Sequence, residues 1–214
     1  MVPFDALNTP KANTEHPMSK AKTLSEIELS KLLSYMKTTK NPKRNRLMIL
    51  LTYWAGMRVG EVAALRVGNV LNDDLTVKDE IILSPEQTKG NRSRTVLLPE
   101  KLKIEIENYL NANLLMKADR NLPLFLPSRG FKGDLNTKGF TADSLTHTFM
   151  RFYKEAGIDN GSSHSGRRTF ITRLASRGVS ARVLQELAGH KHLSTTQQYI
   201  DINDDMKRKA LELL

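Results

Sequence analysis

The chain has 214 residues, no cysteine, and a formal charge of +10 at pH 7, with 33 lysines and arginines against 23 acidic residues. The missing cysteine excludes disulfides, zinc–thiolate sites and a cysteine nucleophile and fits a reducing cytoplasm. The longest apolar stretch, Leu47 to Met57, is too short for a bilayer. So basic a balance points to a polyanion, with nucleic acid the first choice, and says nothing about chemistry.

Residues 1–7 show no basic region followed by an apolar run, so they are not a secretory signal. Asn8 to Lys22 is polar, carries two prolines and has no periodicity, which predicts a linker or mobile arm over 1–22. Order is expected from Thr23, a candidate N-cap with Glu26 completing a capping box. The helix that follows would carry Ile27, Leu29, Leu32, Leu33 and Met36 on one apolar stripe. A densely apolar second helix is predicted from about Pro42 to Ala55, with Gly56 as its break, and a short third from about Val59 to Leu65.

The pattern then changes to strands. Glu80 to Ser84 and Arg94 to Leu98 flank the polar turn Lys89-Gly-Asn-Arg, where Gly and Asn supply positive φ. A helix is expected from about Glu100 to Met116, followed by an irregular, basic connection from Asp119 to Lys138 with one apolar insert, Leu122 to Leu126. Helix starts are predicted at Thr141 and near Ser163, Ser180, Leu193 and Asn203. The result is a mostly helical α+β domain with one small antiparallel sheet.

Four segments carry the candidate chemistry. In Ala55-Gly-Met-Arg-Val-Gly-Glu-Val, Arg58 and Glu61 share a helix face, so the carboxylate can hold the guanidinium as a rigid fork for phosphate oxygens. The plain alternative is a surface ion pair. Lys89 sits in a basic turn with Arg92 and Arg94, which can enter a DNA groove, and an ammonium there can protonate a leaving oxygen. Otherwise Lys89 is a solvated loop lysine. In Ser163-His-Ser-Gly-Arg-Arg, His164 and Arg167 lie on one face at a helix start that favours an anion. The alternative is a capping histidine beside a solvated arginine. In Leu187-Ala-Gly-His-Lys-His-Leu-Ser-Thr-Thr-Gln-Gln-Tyr, His190 closes one helix and Tyr199 lies nine residues on, on the next. A tyrosine so placed is more often packing than chemistry.

Each segment alone favours its plain reading; the ordered set does not. Arg58, Lys89, His164-x-x-Arg167, Gly189-His190 and Tyr199 together resemble the tyrosine recombinase, or lambda-integrase (phage integrase), family from about Thr23 to the C-terminus. The resemblance implies that family's catalytic fold over 23–214, with a three-stranded antiparallel sheet and a tail helix at about 203–214. It implies Tyr199 as nucleophile, Arg58 and Arg167 as clamps on the scissile phosphate, and Lys89 as acid for the leaving 5′-oxygen. His164 would assist proton transfer, His190 would hydrogen-bond the phosphate, and Glu61 would buttress. Lys89, Arg92, Arg94, Arg168 and Lys191 are the expected DNA contacts. The implied partners are double-stranded DNA and further copies of the chain, a tetramer on DNA, with no membrane, metal or other cofactor. The implied setting is the nucleoid of a bacterium or a phage host.

The chemistry is coherent in its own terms. Attack at a phosphodiester builds negative charge on non-bridging oxygens, which fixed cationic donors stabilise. A tyrosine hydroxyl is a weak nucleophile until a base and nearby cations help it ionise. The phosphotyrosyl ester conserves the bond energy, so rejoining needs no ATP, and no P-loop is found.

The chain departs from the family pattern at Gly166 and Arg168, where Leu and His are usual; altered packing or DNA contact is expected, with catalysis retained. The resemblance leads one to expect that the helical core-binding domain usual ahead of the catalytic one is missing. Val2-Pro-Phe-Asp-Ala-Leu resembles the end of that domain, so a truncated chain is expected slightly ahead of a naturally short one of the fimbrial phase-switch kind. A degenerate, purely DNA-binding relative and a type IB topoisomerase are the competing functions.

Overall fold

The computed structural model describes residues 21–127, 138–200 and 211–212. The 1–20 part of the expected arm, most of the basic connection after Pro127 and nearly all of the expected tail helix lie outside these.

Two overlapping capping patterns compete at the first helix, Thr23-x-x-Glu26 and Ser25-x-x-Glu28, and the second wins. Ser25 caps α1 (Glu26–Thr38): its hydroxyl accepts from the Glu28 N–H at 3.1 Å while the Glu28 carboxylate accepts from the Ser25 N–H at 2.9 Å. Leu24 decides this, because it is buried in the core and donates its N–H to the Thr169 hydroxyl at 2.8 Å. Leu29, Leu32 and Met36 face inward as expected, but Ile27 is 82% exposed. Two residues from Leu29 is about 200° around the helix, so Ile27 falls on the opposite face.

α2 (Pro42–Trp54) is the central helix, with proline at its first turn and Leu47, Met48, Ile49, Leu50 and Leu51 all fully buried. Apolar on every side, it packs against α1, α5 and α7. Truncating any of these five to alanine would cost about 2–5 kcal/mol. Gly56 ends the helix at φ +62°, and a Cβ there would lie 2.4 Å from the Phe170 ring, so only glycine closes this turn. The chain then enters α3 (Val59–Ala63) and α4 (Val67–Val70).

The sheet has two strands among the described residues, not three. β1 (Glu80–Leu83) pairs antiparallel with β2 (Arg94–Leu97), with Ile81 opposite Val96 and Leu83 opposite Arg94. Upstream of β1, Leu71 and Val77 form one isolated bridge. The tight turn between them, with Leu75 at φ 66° and the Asp74 carboxylate accepting from the Thr76 N–H and hydroxyl, leaves no length to pair. In the turn between β1 and β2, Asn91 takes the positive φ.

α5 (Glu100–Asn111) ends short of the expected Met116, and a 3-10 segment, Leu114–Ala118, follows it. The insert Leu122–Leu126 is buried beside α3 and α4, with Val67 N–H donating to the Leu122 carbonyl and Leu124 N–H to that of Leu65. α6 (Ala142–Glu155), capped by Thr141, supplies Phe149, Phe152 and Tyr153 to the core. α7 (Ser165–Ser176), α8 (Ala181–Ala188) and α9 (Leu193–Gln197) complete the described elements. No helix among the described residues is long and apolar enough to cross a membrane.

Candidate active site

The last carbonyls of a helix have no partner inside it and carry the negative end of its dipole. At the end of α8, three successive carbonyls each accept from a different arginine. Arg94 reaches Leu187 at 3.2 Å, Arg167 reaches Ala188 at 2.6 Å, and Arg58 reaches Gly189 at 3.0 Å. Gly189, left-handed at φ 61° and ψ 46°, turns the chain out of α8 into His190. β2, α7 and the N-cap of α3 are thereby gathered on one point.

Glu61 holds two of these cations. Its carboxylate, 1% exposed, accepts from Arg58 Nη1 at 2.8 Å and from the Arg58 backbone N–H at 2.8 Å, and pairs with Arg94 Nη2 at 3.2 Å. The pair of Arg58 and Glu61 is therefore not a surface salt bridge. Arg167 is also buried, donating its other Nη to the Gly56 carbonyl. Burial, then Arg58 and Arg94, push its pKa down to about 9, which leaves it charged at neutral pH. Three guanidinium groups gather around one carboxylate, which pairs with two of them, so the cluster carries excess positive charge.

His164 is the N-cap of α7, with no side-chain capping bond, and it keeps access to solvent. Its pKa is lowered, first by loss of hydration and then by Arg167, Lys89 and Arg58. Lys89, exposed in the hairpin turn, is therefore near enough to be felt by His164. Arg92 and Lys191 are exposed as well.

His190 lies beside the cation cluster. Loss of hydration, then Arg167, Arg58 and Arg94, push its pKa down to about 4, so its imidazole is neutral at pH 7. Its Nδ1 is 2.9 Å from the hydroxyl of the fully buried Thr196. The Gln185 amide donates to the His190 carbonyl at 3.1 Å. The Tyr199 ring stacks on the His190 ring at 5.8 Å between centroids and 24° between planes, and the Arg168 guanidinium lies 5.2 Å from the Tyr199 ring centre.

Arg58, Arg167, His190, Tyr199 and Glu61 are thus brought together at the end of α8, with the charge of Lys89 felt at His164. Two expectations need correction. Tyr199 is not on a helix but in the turn after α9, where its N–H donates to the Thr196 carbonyl. Arg94 points inward, its side chain 11% exposed, because Glu61 and the end of α8 offer it partners that solvent does not. Gln185 is not singled out by the sequence, and Thr196, one of two adjacent threonines before Tyr199, belongs to the matching spacing without showing that it would hold His190.

The profile of the phage integrase family matches residues 22–206. The chain belongs to this family. Tyrosine recombinase XerA of Thermococcus kodakarensis is 34% identical over 197 residues, 92% of this chain and 64% of the relative. Tyrosine recombinase XerD of Rickettsia conorii is 30% identical over 193 residues, 88% of this chain and 62% of the relative. The chain therefore spans just under two thirds of the length of these relatives. Among solved structures, XerA recombinase superposes with a TM-score of 0.68 at 25% identity, covering 90% of this chain and 65% of that one. The XerH site-specific recombinase bound to palindromic difH substrate gives 0.65 at 24% identity, over 88% and 51%; at that identity it speaks to the fold alone.

Proposed function

We propose that this chain is the catalytic part of a site-specific DNA recombinase that breaks and rejoins strands through a 3′-phosphotyrosine at Tyr199. The observation that carries the reading is the convergence of Tyr199, His190, Arg58 and Arg167 at the end of α8. Membership in the phage integrase family supports it.

Arg58 and Arg167 hold the non-bridging oxygens of the scissile phosphate, whose charge balances the excess of the cluster. His190, neutral at pH 7, donates a hydrogen bond to the same group. The Tyr199 hydroxyl attacks phosphorus and gives up its proton with help from His164, whose lowered pKa leaves it neutral and able to accept. The P–O5′ bond breaks as Lys89 protonates the departing oxygen, leaving a 3′-phosphotyrosyl ester and a free 5′-hydroxyl. Attack by another 5′-hydroxyl reverses these steps and rejoins the strands. The ester keeps the phosphodiester's energy, so the cycle uses neither ATP nor metal. Lys89, Arg92, Arg168 and Lys191 contact DNA, and exchange takes place in a tetramer on two duplexes.

The test is adduct formation on nicked duplexes drawn from the DNA flanking the gene. Wild type should give a protein–DNA adduct that survives denaturant, and Tyr199→Phe should bind the same DNA and give none. An adduct with Phe at this position moves the nucleophile elsewhere. Cleavage that needs neither a particular site nor a second duplex indicates a type IB topoisomerase instead.

A further inference from the structure

Three cations follow one another in the hairpin, Lys89, Arg92 and Arg94; the first two face solvent and the third does not. We propose that Arg94 is a positioning residue for strand cleavage, a buried strut that fixes the turn at Gly189 and with it His190, rather than a contact to DNA. The inference rests on the strand-transfer reading above.

The geometry of one guanidinium carries it. Nη1 donates to the Leu187 carbonyl at 3.2 Å and Nη2 pairs with Glu61 at 3.2 Å, so Arg94 ties β2 to α8 and α3 at once. The same Glu61 oxygen takes the Arg58 backbone N–H, so Arg94 also bears on where the first clamp sits. The turn at Gly189 closes directly on this side chain. A Cβ on Gly189 would lie 2.6 Å from Arg94 Nη1 and 2.7 Å from Cδ. The next residue is His190, so the guanidinium fills the space that sets the direction in which His190 leaves the helix.

Packing alone would favour an apolar side chain here. Nε and Nη2 of Arg94 are both buried without a hydrogen-bond partner among the described residues, Nη2 meeting Glu61 as an ion pair only, and burying such donors is costly. A third cation beside Arg58 and Arg167 adds repulsion. What the arginine gives in return is a fork that reaches two elements, and a positive charge near His190. A lysine, with one nitrogen, cannot make both contacts.

His190 is faced by Arg167 from α7, Arg58 from α3, Arg94 from β2, and the Thr196 hydroxyl and Tyr199 ring from α9 and the turn after it. Removing the Arg94 charge should therefore raise the pH at which His190 takes a proton, an effect that a residue needed only for stability would not have.

Wild type, Arg94→Lys and Arg94→Gln of the full chain are compared in three measurements: DNA affinity against salt, adduct formation on nicked duplex, and the His190 ring titration followed by NMR without DNA. Both variants should bind DNA like wild type with the same salt slope. Both should form adduct more slowly, approaching the 10²-fold that about 1 Å of misplacement costs. The His190 midpoint should rise in Arg94→Gln and stay near wild type in Arg94→Lys.

Three outcomes overturn the proposal. One is weaker binding with a salt slope shallower by about 0.9, the mark of a lost phosphate contact. Another is adduct formation at the wild-type rate in Arg94→Lys. The third is an unmoved His190 midpoint in Arg94→Gln. If Arg94→Gln does not fold, Arg94→Lys, which keeps a cation for Glu61, carries the affinity and rate arms. If wild type itself forms no adduct, the strand-transfer reading fails, and the DNA-free titration still decides whether Arg94 acts on His190.

Discussion

His190 presents Nδ1 to the Thr196 hydroxyl at 2.9 Å, and Thr196 is wholly buried six residues further along the chain. For a neutral imidazole to donate to a phosphate through Nε2, Nδ1 must accept, so the Thr196 hydroxyl has to be the donor here. The short helix α9 thus anchors the His190 ring through Thr196 while placing Tyr199 against it.

Thr196→Val keeps the shape and removes the hydroxyl. His190 then loses its anchor, and by analogy with outer-shell partners of ligating histidines, adduct formation should fall by about 10–100-fold. Thr196→Ser should retain most activity. Equal rates for the Val and wild-type proteins in a single-turnover cleavage assay would remove Thr196 from the mechanism.

Acid should weaken the fold through the same histidine. An unfolded chain protonates His190 near 6.5, whereas the folded chain does so only near 4. Between those values the unfolded state binds the proton and the folded state does not. Stability is thus intact above about pH 6.5 and falls as pH drops toward 4. His164, lowered in the same direction, adds to the loss. Urea denaturation at pH 7.5, 6 and 5 should show His190→Asn losing less stability over this range than wild type. Parallel losses in the two proteins would mean that His190 is not the group responsible.

Much of the fold could be read from patterns that repeat or punctuate. The apolar run of α2, the glycine break at Gly56 and the hairpin signature around Asn91 each have a local cause, and each appears where expected. What escaped depended on partners far along the chain. The start of α1 was settled by Leu24 meeting Thr169, 145 residues away. Arg94 looked like its neighbours Lys89 and Arg92, because nothing in the hairpin shows that Glu61 and Leu187 wait for it. Order and spacing along the chain pick out the candidate set, whereas the mutual support of its members at the end of α8 appears only in three dimensions.

Gly166 shows how a departure from the family pattern is accommodated. A Cβ there would lie 2.2 Å from Thr52 Oγ1 and 3.3 Å from the Thr52 backbone carbonyl carbon, so α7 and α2 meet too closely for any side chain. Gly166→Ala gains about 1 kcal/mol of helix propensity but forces α7, with Arg167 on it, away from α2. Overpacking of this kind costs about 1–3 kcal/mol, so a net loss is expected. Thr52→Ala removes the nearer atom, and the double variant should recover part of the loss. Additive effects in thermal melts would show that the two positions do not clash.

Lys89 is placed by the hairpin turn, exposed and within electrostatic reach of His164. As the general acid it protonates an alkoxide that otherwise leaves poorly. Such catalysis is typically worth ~10²–10⁴-fold, so Lys89→Ala should slow cleavage by about that factor. Sulfur in place of the bridging 5′-oxygen leaves without a proton. Cleavage of the sulfur substrate by Lys89→Ala should therefore return to near the wild-type rate. Arg58→Ala should not recover, because Arg58 acts on the non-bridging oxygens, whose charge is the same with either leaving group. Both variants measured on both substrates separate proton transfer from charge stabilisation. If sulfur rescues neither, Lys89 is a phosphate contact, and His164, at the same mouth of the site, becomes the acid to test.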